Sequence, residues 1–225
     1  MATVAIEPFV LSLDMAVTMV DIGWDGFETI ARMREDRSGP RLIYAHGSLT
    51  LVSPSHEHEH GSDRLDRIVM AVCSELRIPC HPAASTLYRR QDLDHGIEGD
   101  KTYYVAHEGA VRGKKAIDLN VEPPPDLAIE VQITHPAEHA VETWRALGVP
   151  EVWVYDGRRH SLKILHLDEG GLYAEAQASR AFPFLAIGEI LAWVEQPEDE
   201  PESWWEGRLR EWVRDELARR LQGGV

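Results

Sequence analysis

The segment 126–134, DLAIEVQIT, constrains the fold most, because it has the pattern of a strand with two chemically different faces. Strand alternation puts the apolar side chains on one face, namely Leu127, Ile129, Val131 and Ile133. The opposite face carries Asp126, Ala128, Glu130, Gln132 and Thr134. The apolar face predicts a strand packed on a core, and the acids and amide opposite it mark a candidate site.

Glu130 is the candidate ligand on this polar face. Its side chain leaves the strand about 7 Å from that of Gln132, so both can converge on one cation or phosphate. Asp126 lies roughly 13 Å from Glu130 along an extended strand, which is too far to share one cation comfortably. We therefore expect Asp126 to begin the strand or to cap the preceding loop. The alternative for Glu130 is plain exposure to solvent.

The remaining pattern predicts an α/β (α+β) fold. A helix over 55–76 has a single apolar stripe, with Ser55 as its N-cap and charged side chains opposite the stripe. Shorter helices are expected at 24–34, 137–147 and 186–195. Strands are expected in a hairpin around Gly47 and at 85–89, 101–105, 151–156 and 161–167. This order of elements favours a mixed β-sheet flanked by helices.

The length and charge of the chain favour a globular protein over a membrane-spanning or secreted one. The 225 residues suffice for one large core, and the net charge of −15 disfavours binding to phosphate backbones unless a divalent cation or a local basic face offsets it. No apolar run is long enough to span a membrane, and the first residues lack the basic part of a signal peptide. Two cysteines do not make a disulfide framework. We expect a cytoplasmic protein with no membrane partner.

The C-terminal residues predict an appendage. The acidic segment 196–202, QPEDEPE, separates a domain over 1–195 from a helix over 203–221. Residues 196–225 are therefore expected to form a linker and an amphipathic helical tail. Trp204, Trp205 and Trp212 need an apolar surface to cover, which is either the same domain or a second copy in a homodimer.

The run SHEHEH brings three histidines close together in sequence. On a helix only His56 and His60 share one side, which disfavours a zinc site made by all three. An extended strand would align them, as in a cupin-like metal barrel, but the apolar stripe that follows is helical. His58 lies on the side of Leu65 and is expected to point inward, either as a core or cap residue or as part of a site.

Several stretches carry a resemblance to a known family. PPPDLAIEVQIT, a helix and then ALGVPEVWVYDG follow one another, with YAHGSLTLVSPSHEHE and GIEGDKTYYV upstream. In this order they resemble the Uma-type restriction endonuclease family, a branch of the PD-(D/E)XK nucleases. The resemblance runs from about Trp24 to Trp193. It implies a restriction-endonuclease-like fold and an endonuclease that hydrolyses DNA.

The family's acidic motif corresponds to two predicted strands of this chain. The resemblance puts its first acid at Asp100, with Gly99 in place of the usual proline, and its second acid at Glu130. It implies a Mg²⁺ (or Mn²⁺) ion held by both carboxylates and by the backbone carbonyl of Val131. Hard oxygen ligands of this kind suit Mg²⁺.

The same resemblance implies supporting residues and shows where this chain departs from the family. Glu57 and His58 are implied to enter the active site from the start of their helix, and Gln132 stands where the motif has a lysine that orients the attacking water. Gln132 carries no charge, and the nearby helix has His139 and Ala140 where many relatives have a lysine. Two functions therefore stay open: a metal-dependent endonuclease, and a nuclease-fold protein without catalysis that acts in binding or assembly.

Overall fold

The computed structural model describes residues 15–34, 40–53, 55–84, 86–133, 137–197 and 199–223. In chain order it begins with β1 (Met15–Met19), α1 (Trp24–Arg34), β2 (Arg41–Ala45), β3 (Ser48–Ser53), α2 (His56–Glu75), β4 (His81–Pro82), β5 (Leu87–Arg90), β6 (His95–Glu98), β7 (Lys101–Tyr104) and α3 (Glu108–Val111). It continues with β8 (Leu127–Gln132), α4 (Glu138–Ala146), β9 (Glu151–Asp156), β10 (Ser161–Leu167), β11 (Tyr173–Ala176), α5 (Ile187–Val194), α6 (Glu202–Trp212), a π-helical turn (Val213–Leu217) and α7 (Ala218–Gly223). None of the helices in these ranges combines the length and the apolar character needed to cross a bilayer.

The strands form two sheets. The first is antiparallel and has the order β1-β3-β2-β6-β5. The second has the order β11-β10-β9-β8-β7-β4 and is mixed, because β8 and β9 run parallel while its other neighbours are antiparallel. Helix α4 makes the crossover that a parallel pair requires. The predicted α+β fold with helices around a mixed sheet is confirmed, although the pattern did not indicate that the strands divide between two sheets.

Helix α2 covers one face of the second sheet. The Ser55 hydroxyl caps its N-terminus by accepting the backbone N–H of His58 at 3.2 Å. Its buried stripe of Leu65, Ile68, Val69, Val72 and Cys73 shares one core with Leu127, Ile129 and Val131 of β8. The apolar face expected for β8 from alternation is thus confirmed.

The polar face of β8 is buried as well. Ala128 lies in a second core with Trp144 of α4, Tyr88 of β5 and Ile97 of β6. Helix α4 and the first sheet therefore cover the face from which Glu130 projects, and Glu130 is buried. The alternative of a solvent-exposed Glu130 is wrong, because β8 is a central strand with a layer of structure on each side.

The C-terminal helices pack on the same chain. Trp205, Leu209, Val213 and Leu217 are buried in the core that α2 forms with the second sheet. The boundary after residue 195 stays a prediction, but the tail beyond it shares the core of the preceding residues. Trp204 is 66% exposed, and the homodimer contact predicted for this region stays a prediction.

Arg64 joins α2 to the segment that precedes α6. Its guanidinium is buried and donates to the backbone oxygens of Val194 (2.9 Å) and Gln196 and to the Glu202 carboxylate at 2.7 Å. The same group lies 5.1 Å from the centroid of the Trp205 ring, within cation–π range. The Arg64 side chain therefore contacts both the segment that leads into the C-terminal helices and the buried Trp205 ring.

Replacing Arg64 by alanine is expected to lower the free energy of unfolding by about 2–4 kcal/mol, because the buried Val194 carbonyl and the partly buried Gln196 carbonyl lose this donor. Glu202→Gln is the matched control and is expected to cost about 1 kcal/mol or less, since more than a third of the Glu202 side chain is exposed. Urea denaturation of both variants measures the difference. Equal losses in the two variants would contradict the role given to Arg64.

Candidate active site

Asp100 directly precedes β7, and Glu130 lies on the neighbouring strand β8. β7 and β8 are antiparallel, with Lys101 opposite Ile129. Continued by one residue beyond β7, this register would put Asp100 next to Glu130. Both side chains are buried. The two acids that the sequence resemblance selected therefore lie on adjacent segments of the chain's second sheet, and their role as ligands of one cation stays a prediction.

Three donors surround the Asp100 carboxylate. Its Oδ2 accepts the Val131 backbone N–H at 2.7 Å and lies 3.1 Å from Nε2 of His58. Its Oδ1 accepts a hydrogen bond from Nη1 of Arg41. Only 4% of the Asp100 side chain is exposed. These contacts offset the negative charge, which would otherwise be costly to remove from water.

Glu130 is held by helix α4. Its Oε1 accepts the indole N–H of Trp144 at 2.7 Å. Burial raises the pKa of the Glu130 carboxyl to about 7, because the charged form loses its hydration. The Trp144 hydrogen bond and the charge of Arg41 act in the opposite direction and limit the rise. Without a bound cation, this carboxyl therefore takes up a proton near neutral pH.

Gly99 allows the Trp144 indole to approach this closely. A Cβ atom at position 99 would lie 2.4 Å from the Trp144 ring and 2.9 Å from Oε1 of Glu130. Any other residue there, proline included, would displace the indole or the carboxylate. The departure from the family's proline therefore has a local cause, because the tryptophan occupies the space that a side chain at 99 would need.

Arg41 is a site residue that the sequence analysis missed. It begins β2 in the first sheet, and its Nη2 also donates to Oε1 of Glu59 on α2 at 3.0 Å. Its contact with Asp100 joins residues 59 positions apart on two different sheets. No motif or spacing in the sequence marks Arg41, because an arginine at the start of a strand has the pattern of a solvated strand end.

The described contacts of Gln132 lead away from the two acids. Its Nε2 donates to Oδ2 of Asp156 at 2.8 Å, and its Oε1 accepts the Ala137 backbone N–H at 3.0 Å. The amide therefore ties the end of β8 to β9 and to the start of α4. A role for Gln132 in orienting water stays a prediction. Thr134, on the same predicted face, lies outside the described residues.

His58 points inward, as expected, and contacts Asp100. The run of histidines lies on helix α2, so the extended arrangement of a metal barrel is excluded. His60 lies 3.6 Å from the Glu202 carboxylate and thus faces the C-terminal segment. The side chain of Glu57 lies outside the described part of the structure, and its implied place in the site stays a prediction.

Asp126 caps a loop at the other end of β8. Its Oδ2 accepts the backbone N–H groups of Val105 at 2.7 Å and His107 at 2.9 Å, and its Oδ1 lies 2.6 Å from Nδ1 of His107. The expectation that Asp126 begins the strand or caps the preceding loop is confirmed by these contacts.

The raised pKa of Glu130 predicts a pH dependence of stability in metal-free protein. The folded state keeps a proton on this carboxyl up to about pH 7, whereas an unfolded chain releases it near pH 4.3. The contribution of the Glu130 carboxyl to the free energy of unfolding is therefore fully present below about pH 4.3. It is lost as the pH rises from there through about 7. Glu130→Gln removes the titration, and its amide oxygen can still accept the Trp144 N–H.

We expect the unfolding free energy of Glu130→Gln, relative to the unmodified protein, to rise by about 2–3 kcal/mol between pH 5 and pH 8. Urea denaturation in the presence of a chelator measures this difference at each pH. Parallel curves for the two proteins across that range would show that the carboxyl does not titrate as described.

Comparisons with known proteins place this arrangement in a family. Residues 24–197 match the family Uma2, described as "Putative restriction endonuclease", and this range includes Arg41, Asp100 and Glu130. The comparison with curated proteins found no match.

A solved structure supports the fold. It is described as a putative nuclease belonging to DUF820 from Anabaena variabilis ATCC 29413. It is 13% identical to this chain, with a TM-score of 0.50, and the similarity covers 69% of this chain and 92% of the other. The family match spans well over half of the residues, and the chain therefore belongs to the Uma2 family.

Proposed function

We propose that this chain is a metal-dependent endonuclease that hydrolyses DNA phosphodiester bonds, with Asp100 and Glu130 as ligands of Mg²⁺ (or Mn²⁺). The observation that carries the proposal is that two buried carboxylates lie on β8 and at the residue that precedes its neighbour β7, in a chain of a restriction endonuclease family. Buried carboxylates are destabilising unless they are paired or bind a cation. Their placement side by side, with a strongly raised pKa on one of them, is typical of functional sites.

The donor set suits a hard divalent cation. The Val131 carbonyl leaves the same edge of β8 as the N–H that bonds Asp100, because both backbone groups of a strand residue face the same neighbour. Among the side chains that the structure describes, no group of three or more His, Cys, Asp or Glu is arranged for a metal. The ligands we propose are therefore two carboxylates and one carbonyl, with water completing the shell, as Mg²⁺ prefers.

Neighbouring residues of the chain would hold the proposed ligands in position. A bound Mg²⁺ would supply a polarised phosphoryl oxygen and a water of lowered pKa. The Val131 N–H and His58 fix Oδ2 of Asp100, which leaves Oδ1 toward the site. Trp144 occupies Oε1 of Glu130, so Oε2 is the oxygen that we expect to face the cation. Positions fixed by such contacts reduce the reorganisation needed during the reaction.

The attacking water would need side chains that hold it in position. We keep Glu57 and Gln132 as supporting residues on the strength of the family resemblance. The Gln132 amide would have to release Asp156 or Ala137 to hold a water.

A second candidate is a nuclease-fold protein without catalysis that acts in binding or assembly. It is favoured by the engagement of both ends of the Gln132 amide and by the net charge of −15. The two functions differ in a simple property, since only the first requires uptake of a divalent cation at millimolar concentration.

Plasmid nicking with Mg²⁺ or Mn²⁺ tests the endonuclease. Asp100→Asn and Glu130→Gln keep the size of the side chains while removing charge, and each is expected to lower the nicking rate by roughly 100-fold or more. Asp126→Asn is the matched control, because it removes the charge of another buried acid that flanks β8 and caps a loop. We expect this variant, once folded, to cut at close to the normal rate.

Three outcomes separate the alternatives. Loss of nicking in the two ligand variants but not in Asp126→Asn supports the endonuclease. Equal nicking by all four proteins means that the activity does not come from this site. No nicking by any of them, together with no cation uptake in calorimetry, favours the non-catalytic function.

A further inference from the structure

Arg41 is the cation that the metal-free site already contains. Its guanidinium donates to Oδ1 of Asp100 through Nη1 and to Oε1 of Glu59 through Nη2. The Arg41 side chain is 15% exposed, so the pair with Asp100 is largely removed from water. Its charge also acts on Glu130, whose pKa it lowers. One arginine of the first sheet therefore neutralises acids that belong to the second sheet and to α2.

No other described lysine or arginine contacts the Asp100 carboxylate. Lys101 is next to Asp100 in sequence, but strand alternation turns it to the opposite face, where Nζ lies 3.0 Å from Oδ1 of Asp63 on α2. Gln132 and Ala140, at the two positions where lysine was expected, carry no charge. The positive charge of the site therefore comes from Arg41, at a place that the motif does not include.

The position of Arg41 conflicts with a bound metal. Oδ2 of Asp100 is held by the Val131 N–H and His58, so Oδ1 is the oxygen available to a cation, and Arg41 donates to that oxygen. A guanidinium and a divalent ion at the same carboxylate oxygen repel each other, so each weakens the binding of the other.

Glu59 offers Arg41 a second position. Its side chain is 45% exposed and already accepts Nη2. The guanidinium can therefore release Asp100 while keeping one charged partner at the edge of the site.

We propose that Arg41 is a displaceable counter-cation that competes with divalent metal for Asp100 and moves toward Glu59 when the metal binds. The inference rests on the metal site of the proposed function but not on turnover. In the metal-free protein, the Arg41 guanidinium would then occupy the position of the metal ion. The affinity of the site for metal would be lower than the two carboxylates alone would give.

Calorimetric titration with Mn²⁺ in the absence of nucleic acid tests this inference. Arg41→Gln is expected to bind Mn²⁺ about tenfold or more tightly than the unmodified protein, because the competing charge is gone. The temperature of unfolding should also rise more on addition of Mn²⁺ in the variant. Arg34→Gln is the matched control, since Arg34 pairs with the buried Glu98, which is not a proposed ligand. We expect it to change the affinity less than threefold.

Arg41→Lys covers the case in which Arg41→Gln does not fold, because it keeps a charge but not the two-armed contact. Its affinity is expected to lie between those of the unmodified protein and the glutamine variant. Affinity for Mn²⁺ that is unchanged or weaker in the folded Arg41 variant overturns the inference, as does absence of Mn²⁺ binding in that variant. Tighter binding in a protein that never nicks plasmid would uphold the inference while refuting the endonuclease.

Discussion

The structure depends on the charged contact between Arg41 and Asp100, which joins the two sheets where the chain passes from one to the other. Strand β6 of the first sheet ends at Glu98 and strand β7 of the second begins at Lys101, so Gly99 and Asp100 are the junction between these two strands. Arg41 reaches that junction from β2, and the Val131 N–H reaches it from β8. Because Asp100 is buried, loss of Arg41 in the absence of metal would take a charged partner from a carboxylate in the interior.

The residues of the candidate site lie around the same junction. The Asp100 carboxylate accepts hydrogen bonds from the Val131 N–H and from Arg41, whereas burial raises the pKa of Glu130 to about 7. We propose that two acids in different environments beside Arg41 form a site whose charge is balanced without metal, and that a divalent ion would enter by displacing the arginine. Gly99 and Trp144 contribute by sterics, since the indole fits only where no Cβ is present.

Much of this site was predictable from the sequence because its main elements are local patterns. Alternation along 126–134 defined the two faces of β8, and an apolar stripe defined α2 and the inward direction of His58. The distance along a strand was enough to separate Asp126 from Glu130 and to give Asp126 its capping role. Family resemblance then selected Asp100, which no periodicity marks.

The remaining features could not be predicted from the sequence, because they are contacts between residues that lie far apart in it. The division of the strands into two sheets depends on pairings such as Ile43 with Ile97, and the role of Arg41 depends on that division. The Trp144 hydrogen bond to Glu130 depends on how α4 packs, not on its own pattern. Arg64 shows the same limit, since a charged residue beside an apolar stripe is ordinarily solvated, yet here it is buried under the C-terminal segment.

The claim that Asp100 and Glu130 form one cation site is tested most directly by a crystal structure of the protein with Mn²⁺, recorded at the manganese absorption edge. The account predicts an anomalous peak about 2.0–2.2 Å from Oδ1 of Asp100 and from a Glu130 oxygen, with Arg41 moved off Asp100 toward Glu59. A crystal saturated with Mn²⁺ that shows no peak between the two carboxylates, and Arg41 still bonded to Asp100, would contradict it.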